Sequence, residues 1–290
     1  MTADTASPFH AQRLRAEKFT VPYRRRRAAR KTHPVSDFLF IYYPFPPSQL
    51  ERWHPGPNNT AEIRDEDASH LRTDHYHLDE ETARLAPEKM PTKVRERLKR
   101  VHNLLTLTQS RAANFSCAGM HEWAMVYSGA DVRHRESAPL RFPQDEIDRI
   151  VENLPITCSH FDAFRFFSPD AIKFNRLQPT LGTREQHEQP ACLHANMDLY
   201  KWASKAMPWV GTDVLWQCFL LALKARELDM RASPYDLTTF GYSPIKIETS
   251  EGRGEYEQQQ RMIATEAKQL RARLIDALAV VITTSDVVGH

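Results

Sequence analysis

Three stretches of the chain repeat apolar residues every three or four positions, a pattern that helices packed on helices satisfy. In 92–109 the stripe is Val94, Leu98, Val101 and Leu105, with basic residues between them and His102 beside it. In 255–282 it is Ile263, Ala267, Leu270, Leu274 and Leu278. The stretch from Thr212 to Asp229 is apolar on most sides, through Val214, Leu215, Phe219, Leu220, Leu221 and Leu223, which marks it as the central helix. Thr212 is placed to cap it, with Asp213 in its positive first turn. Further helices are predicted at 120–127, at 143–153 from Pro143 with Ile147, Ile150 and Val151 inward, and at 190–207 ending at Pro208. Residues 9–31 predict helical pieces interrupted at Pro22.

Strand signals are weaker. Residues 156–167, ITCSHFDAFRFF, alternate as an extended strand with aromatic rings on both faces. Ile245 and Ile247 suggest a short strand, and Ser233-Pro234-Tyr235-Asp236 a turn. The aromatic run 37–45 calls for burial, and polar 54–82, with His54, His70, His75 and His77, reads as a long loop. Nineteen prolines against nine glycines indicate stiff loops. The expected fold is mainly α: a single helical domain with a few short β-strands over 32–290, behind a basic N-terminal arm over 1–31.

That arm holds nine Lys or Arg against Asp4 and Glu17, while the whole chain carries only +2. A basic arm on a mildly acidic body suits phosphate, so DNA is one expected partner, while a solvated helix is the plain reading. No run of about 18 apolar residues occurs, so no membrane partner is expected. The first residues lack the apolar stretch of a secretory signal, and four cysteines are too few for a disulfide scaffold. These features predict a cytoplasmic protein with reduced thiols.

Three of the four cysteines sit just ahead of a histidine: Cys117 and His121, Cys158 and His160, Cys192 and His194. A carboxylate lies close behind each pair, namely Glu122, Asp162 and Asp198. Thiol, imidazole and carboxylate bind metals and move protons near neutral pH. On a helix Cys117 and His121 share a face, on a strand Cys158 and His160 do, and Cys192 and His194 can converge in a helix-entry turn. The six Cys and His residues are candidate ligands for a transition metal such as zinc or iron, although their spacing matches no standard zinc finger. His121, His194, Glu122, Asp162 and Asp198 are the candidate catalytic groups. In the plain alternative the acids pair with Arg165, Lys201 or Arg231, and the thiols are small core hydrophobes. Those three cations and the nearby rings of Trp123, Tyr127, Phe161 and Tyr200 are the candidate substrate contacts, since rings can sandwich a planar base and equally can be core. The dense charges of ARELDMRASPYD, 225–236, fit a phosphate site or a salt-bridge network.

The segments HPVSDFLFIYY (33–43), CAGMHEWAMVY (117–127), CSHFDAFRFF (158–167), CLHANMDLYKWA (192–203) and ELDMRASPYDL (227–237) resemble an actinobacterial family labelled 3-methyladenine DNA glycosylase. The resemblance covers about 33 to 282. It implies a DNA-repair hydrolase excising alkylated purines, although the chain has no helix-hairpin-helix motif of the Leu-Pro-Gly-Val-Gly type. Such a reaction needs rings to hold a flipped base and a carboxylate beneath the sugar where positive charge develops. The resemblance nominates Asp162 for that role, ahead of Asp198 and Glu122, with Arg24 to Arg27 tracking phosphates. A metal-dependent enzyme acting on a small molecule is the competing expectation. Either requires the 117–122, 158–162 and 192–198 segments to meet in space.

Overall fold

A computed structural model describes residues 7–63, 66–129 and 138–287; residues 1–6 of the expected arm lie outside it. The helices in chain order are α1 (Pro8–Ala28), α2 (Phe38–Tyr42), α3 (Pro47–Leu50), α4 (Thr92–Ser110), α5 (Met120–Met125), α6 (Gln144–Asn153), α7 (Phe161–Phe164), α8 (Arg184–His187), α9 (Leu193–Lys205), α10 (Thr212–Arg231) and α11 (Ser250–Val287). The fold is mainly α. Its centre is α10, packed against α9 and α11, with α4 on the far side of α11. Leu215, Cys218, Phe219, Leu221, Ala222, Ala225 and Met230 of α10 are fully buried, and only a narrow edge with Asp213, Gln217, Lys224 and Glu227 is exposed. Among the described residues no helix is long and apolar enough to cross a membrane.

The long periodic helices form where their stripes lie, and α11 begins five residues earlier than its stripe suggests. Several expectations need correcting. Residues 54–82 are not one loop. They supply β1 (Thr60–Glu62) and β2 (Tyr76–Leu78), which flank β3 (Thr82–Leu85) in an antiparallel sheet of order β1-β3-β2. Ala61 and Leu78 both face Ala83 across the ladders. Strands of three or four residues are too short to show a period. Residues 156–167 are not a strand: only Ile156 pairs, in a single parallel bridge to Asn175. Without a ladder to join, the segment turns at His160, whose carbonyl accepts from the Ala163 and Phe164 N–H groups to start α7. Ile245 and Ile247 are fully buried in irregular chain. The run at 37–45 buries Leu39, Phe40 and Tyr43 but leaves Ile41 61% exposed.

Helix α1 is continuous through Pro22, because its buried face (Phe9, Gln12, Ala16, Thr20, Tyr23) runs across the proline. It is docked on the body rather than trailing from it. Arg24 grips both carboxylate oxygens of Glu51 at 2.7 and 2.8 Å, Arg26 pairs with Asp37, and Arg15 lies 4.8 Å above the Trp216 ring. Arg25, Arg27, Arg30 and Lys31 are exposed.

Thr212 is the first helical residue of α10, not its cap; that place belongs to Gly211 at φ 78°. A Cβ on Gly211 would lie 2.5 Å from the Gly56 Cα, so only glycine fits. The Thr212 hydroxyl instead accepts from the His54 N–H at 2.8 Å and ties the sheet region to the helix.

His54 is held by Tyr76, ring nitrogen to hydroxyl, at 2.8 Å. Burial, then the neighbouring His70 and Arg52 charges, bring its pKa down to about 3. Folded His54 therefore binds its proton later than the unfolded chain does, and the neutral ring's contribution is lost as pH falls from about 6.5 toward 3. Denaturant unfolding at stepped pH should show wild-type stability dropping across that window, and His54→Gln should flatten the slope. An identical slope in the variant would contradict the assignment.

Candidate active site

Side-chain amides bring the three Cys/His segments together. Gln189 donates to the Asn114 carbonyl at 3.0 Å and accepts from the N–H groups of Asn114 (3.0 Å) and Ala191 (2.8 Å), fastening the chain before Cys117 to the chain before Cys192. Asn175 accepts from the Cys158 N–H at 2.8 Å and donates to its carbonyl at 2.9 Å. From α11, Gln260 donates to the Ala191 carbonyl at 2.8 Å. The outcome is one small, tight cavity whose wall includes Cys117, Cys158, Cys192, His121, His194, Ser159 and Tyr256. The rings of His121 and His194 lie 4.6 Å apart, and those of His160 and His194 5.6 Å apart.

Local geometry differs from the expectation in two of the three pairs. Ala118 and Gly119 take left-handed conformations (φ 45° and 75°), so Cys117 meets His121 across a reversal rather than along a helix face. Their Sγ and Nδ1 atoms are 3.6 Å apart. A Cβ on Gly119 would crowd Ala232 and the Tyr256 ring at 3.2 and 3.3 Å. Cys158 donates to the His160 carbonyl instead of sharing a strand face with its ring. Cys192 caps α9 and His194 falls in its first turn, the helix-entry arrangement. Burial raises the Cys158 thiol well above its ordinary value and the Cys192 thiol to about 12.

Two ion networks flank this centre. In the first, the fully buried Asp229 of α10 accepts from His121 Nε2 at 2.7 Å and from Arg226 at 3.0 Å, with His194 Nε2 at 3.9 Å. Arg226 also reaches Glu122 at 3.2 Å. Burial opposes charge on both His121 and Asp229, yet their mutual attraction outweighs it, so the imidazole is raised and the carboxyl lowered. Glu122 is raised, first by burial and then by the Asp229 charge, despite Arg226.

In the second network, Lys201 donates to Asp162 at 2.6 Å and to Asp198 at 2.9 Å. Arg184 joins the same two carboxylates at 3.0 Å each and pairs with Glu188. Asp198 also accepts from the Tyr43 hydroxyl at 2.9 Å. Burial works against the charges of Asp162 and Asp198, but Lys201 and Arg184 hold both carboxyls below the usual range. His160 Nε2 approaches Asp198 and Glu188 at 3.3 and 3.4 Å, without a well-formed hydrogen bond to either.

Between the networks opens a small pocket. Phe38, Tyr42 and Phe166 supply aromatic walls, and Glu122, Asp162, His194 and Arg226 the polar groups. His194 borders both the pocket and the cysteine cavity. Of the expected contacts, Lys201 and Arg165 (3.3 Å from Asp162) support the pocket through its carboxylate. Trp123 is sealed in the core, donating to the Ala232 carbonyl, and Tyr127 bonds Glu152. Tyr200 is fully buried between Tyr43 and Phe219. Arg231 pairs toward Glu227 and Glu255, and Phe161 is half-buried and not among the lining residues. Arg184, Glu188, Asn175 and Gln189 were not anticipated, since polar residues in polar loops carry no periodic signal, and Tyr43 was expected only as part of a buried aromatic run. Arg226 and Asp229, charged positions in an apolar helix, were the legible exception.

Among the described residues, two groups offer ligand atoms within 4.8 Å of one another: His121, His194 and Asp229, and His160, Glu188 and Asp198. In each, arginine, lysine or histidine already holds the carboxylate oxygens, whereas the thiols are free of disulfides. No family model, curated protein or solved structure matches the chain.

Removing the amide that fixes Cys158 leaves its backbone N–H and carbonyl buried without partners. Asn175→Ala should therefore cost about 2–4 kcal/mol in denaturant unfolding. A change within about 0.5 kcal/mol, the range of ordinary surface substitutions, would contradict the clamp.

Proposed function

We propose that the chain is a hydrolase that cleaves the N-glycosidic bond of an alkylated purine. The observation that carries this reading is a single aromatic pocket faced by two carboxyls, Glu122 and Asp162, set in opposite electrostatic surroundings. Pairs of carboxyls pushed apart in this way divide acid and base roles. Tyr42 and Phe166 would take the planar base, with Phe38 stacked behind Tyr42, and a cationic methylated purine gains further from their electron-rich faces. As the bond to the sugar breaks, its electron pair flows onto the base and positive charge gathers on the sugar. Ionised Asp162 stabilises that charge, and water adds at the sugar carbon, passing its released proton to Asp162 and from there to solvent. Protonated Glu122 donates a hydrogen bond to a purine nitrogen as electrons arrive there. The resemblance to the glycosylase family points the same way, and exposed Arg25, Arg27, Arg30 and Lys31 are suited to phosphate if the base is presented in DNA.

The test is release of methylated purine from alkylated duplex DNA and from the free methylated nucleoside. Asp162→Asn and Glu122→Gln should each lower the rate by about 10²–10⁴-fold, with folding checked by circular dichroism. Wild-type activity should fall on the alkaline side as Glu122 ionises, and Glu122→Gln should lose that limb. Release from the nucleoside alone would remove DNA as the partner. No release from either substrate, or full activity in Asp162→Asn, would overturn the reading.

A further inference from the structure

We infer that Cys117, Cys158 and Cys192 together bind a thiophilic metal, zinc or iron, in the cavity beside the candidate active site. Three cysteines from separate loops meet on one cavity wall, while Cys218 is buried elsewhere in α10. Packing alone does not call for this convergence, because polar contacts hold each of the three loops: Gln189 on Asn114 before Cys117, Asn175 on the Cys158 backbone, and the Gln189 carbonyl on the Cys192 N–H. The same wall carries Gln260, 1% exposed, whose Oε1 has no hydrogen-bond partner. A buried amide oxygen without a donor is costly unless something in the cavity satisfies it.

The chemistry selects a soft metal. Thiolates favour zinc and iron over magnesium or calcium, and His121 and His194 complete the wall as nitrogen donors. The His/carboxylate groups nearby are poorer candidates, since Arg226, Arg184 and Lys201 already neutralise their oxygens. Among the described residues, the three thiols are not one of the groups whose donors all fall within 4.8 Å. A single ion would draw them inward, whereas an iron–sulfur cluster would span them. Either centre staples together the loops that lead into the helices of Glu122, Asp162 and His194, so the metal organises the pocket from behind rather than entering it.

The experiment is elemental analysis of full-length protein purified anaerobically without a metal-affinity step, together with titration of metal-depleted protein with Co²⁺. About one zinc per chain, or iron with acid-labile sulfide and visible absorption, is expected, and either supports the site while separating the two forms. Co²⁺ should give an intense sulfur-to-cobalt charge-transfer band, kept in Cys218→Ser and lost when Cys117, Cys158 and Cys192 are changed to serine. Because the triple variant can fail to fold, thiol titration of wild type is the second readout: three thiols should become reactive only when metal is stripped. Protein with no bound metal and no cobalt–thiolate band would overturn the inference. So would a band that survives in a folded triple variant, or metal lost in Asp198→Asn but retained without the thiols. The glycosidic reading is assayed separately and does not depend on this result.

Discussion

A guanidinium sealed inside the protein holds the candidate site in place. Arg226 sits on the most apolar helix of the chain and is 1% exposed. Removing such a charge from water costs several kcal/mol, and the cost is offset only where the surrounding geometry is good. Here Asp229 lies one turn further along α10 at 3.0 Å, Glu122 of α5 at 3.2 Å, and the Phe38 ring of α2 at 3.8 Å beneath the guanidinium plane. One side chain thus fastens α10, α5 and α2 and forms part of the pocket wall. His121 completes the arrangement by taking the other oxygen of Asp229.

This explains why the carboxyls differ. Glu122 shares its cation with Asp229, and the stronger claim belongs to Asp229, which also holds His121. Burial and that neighbouring charge leave Glu122 with the higher proton affinity. Asp162 has Lys201, Arg184 and Arg165 around it and more contact with water, so it stays ionised. The asymmetry comes from the deeper burial of Glu122 beside Asp229 and from the cations gathered around Asp162, not from the carboxyls themselves.

The helical framework was legible because its stripes are long: α4, α10 and α11 show the three-and-four spacing over several turns. The convergence of the three Cys/His segments was legible as a coincidence of residue types rather than as geometry. What escaped was whatever depends on single long-range contacts. The β-sheet is built from strands too short for alternation, and the 156–167 segment alternates like a strand yet finds no ladder. Trp123 and Tyr200 looked like substrate contacts by proximity in sequence, but the helices turn them into the core. Asn175 and Gln189, which position the cysteines, carry no local signature, because an amide's partner is set by folding and not by its neighbours.

The most direct test of the account is a double-mutant cycle between Arg226 and Glu122, with Arg226→Met, Glu122→Gln and the pair compared by denaturant unfolding. Arg226→Met alone strands two buried carboxyls and should cost about 3–5 kcal/mol. If this guanidinium truly unites the helices of the site, the two changes should couple by more than about 1 kcal/mol. Additivity to within about 0.5 kcal/mol would mean that the two groups act independently, and the proposed origin of the pocket's asymmetry would not stand.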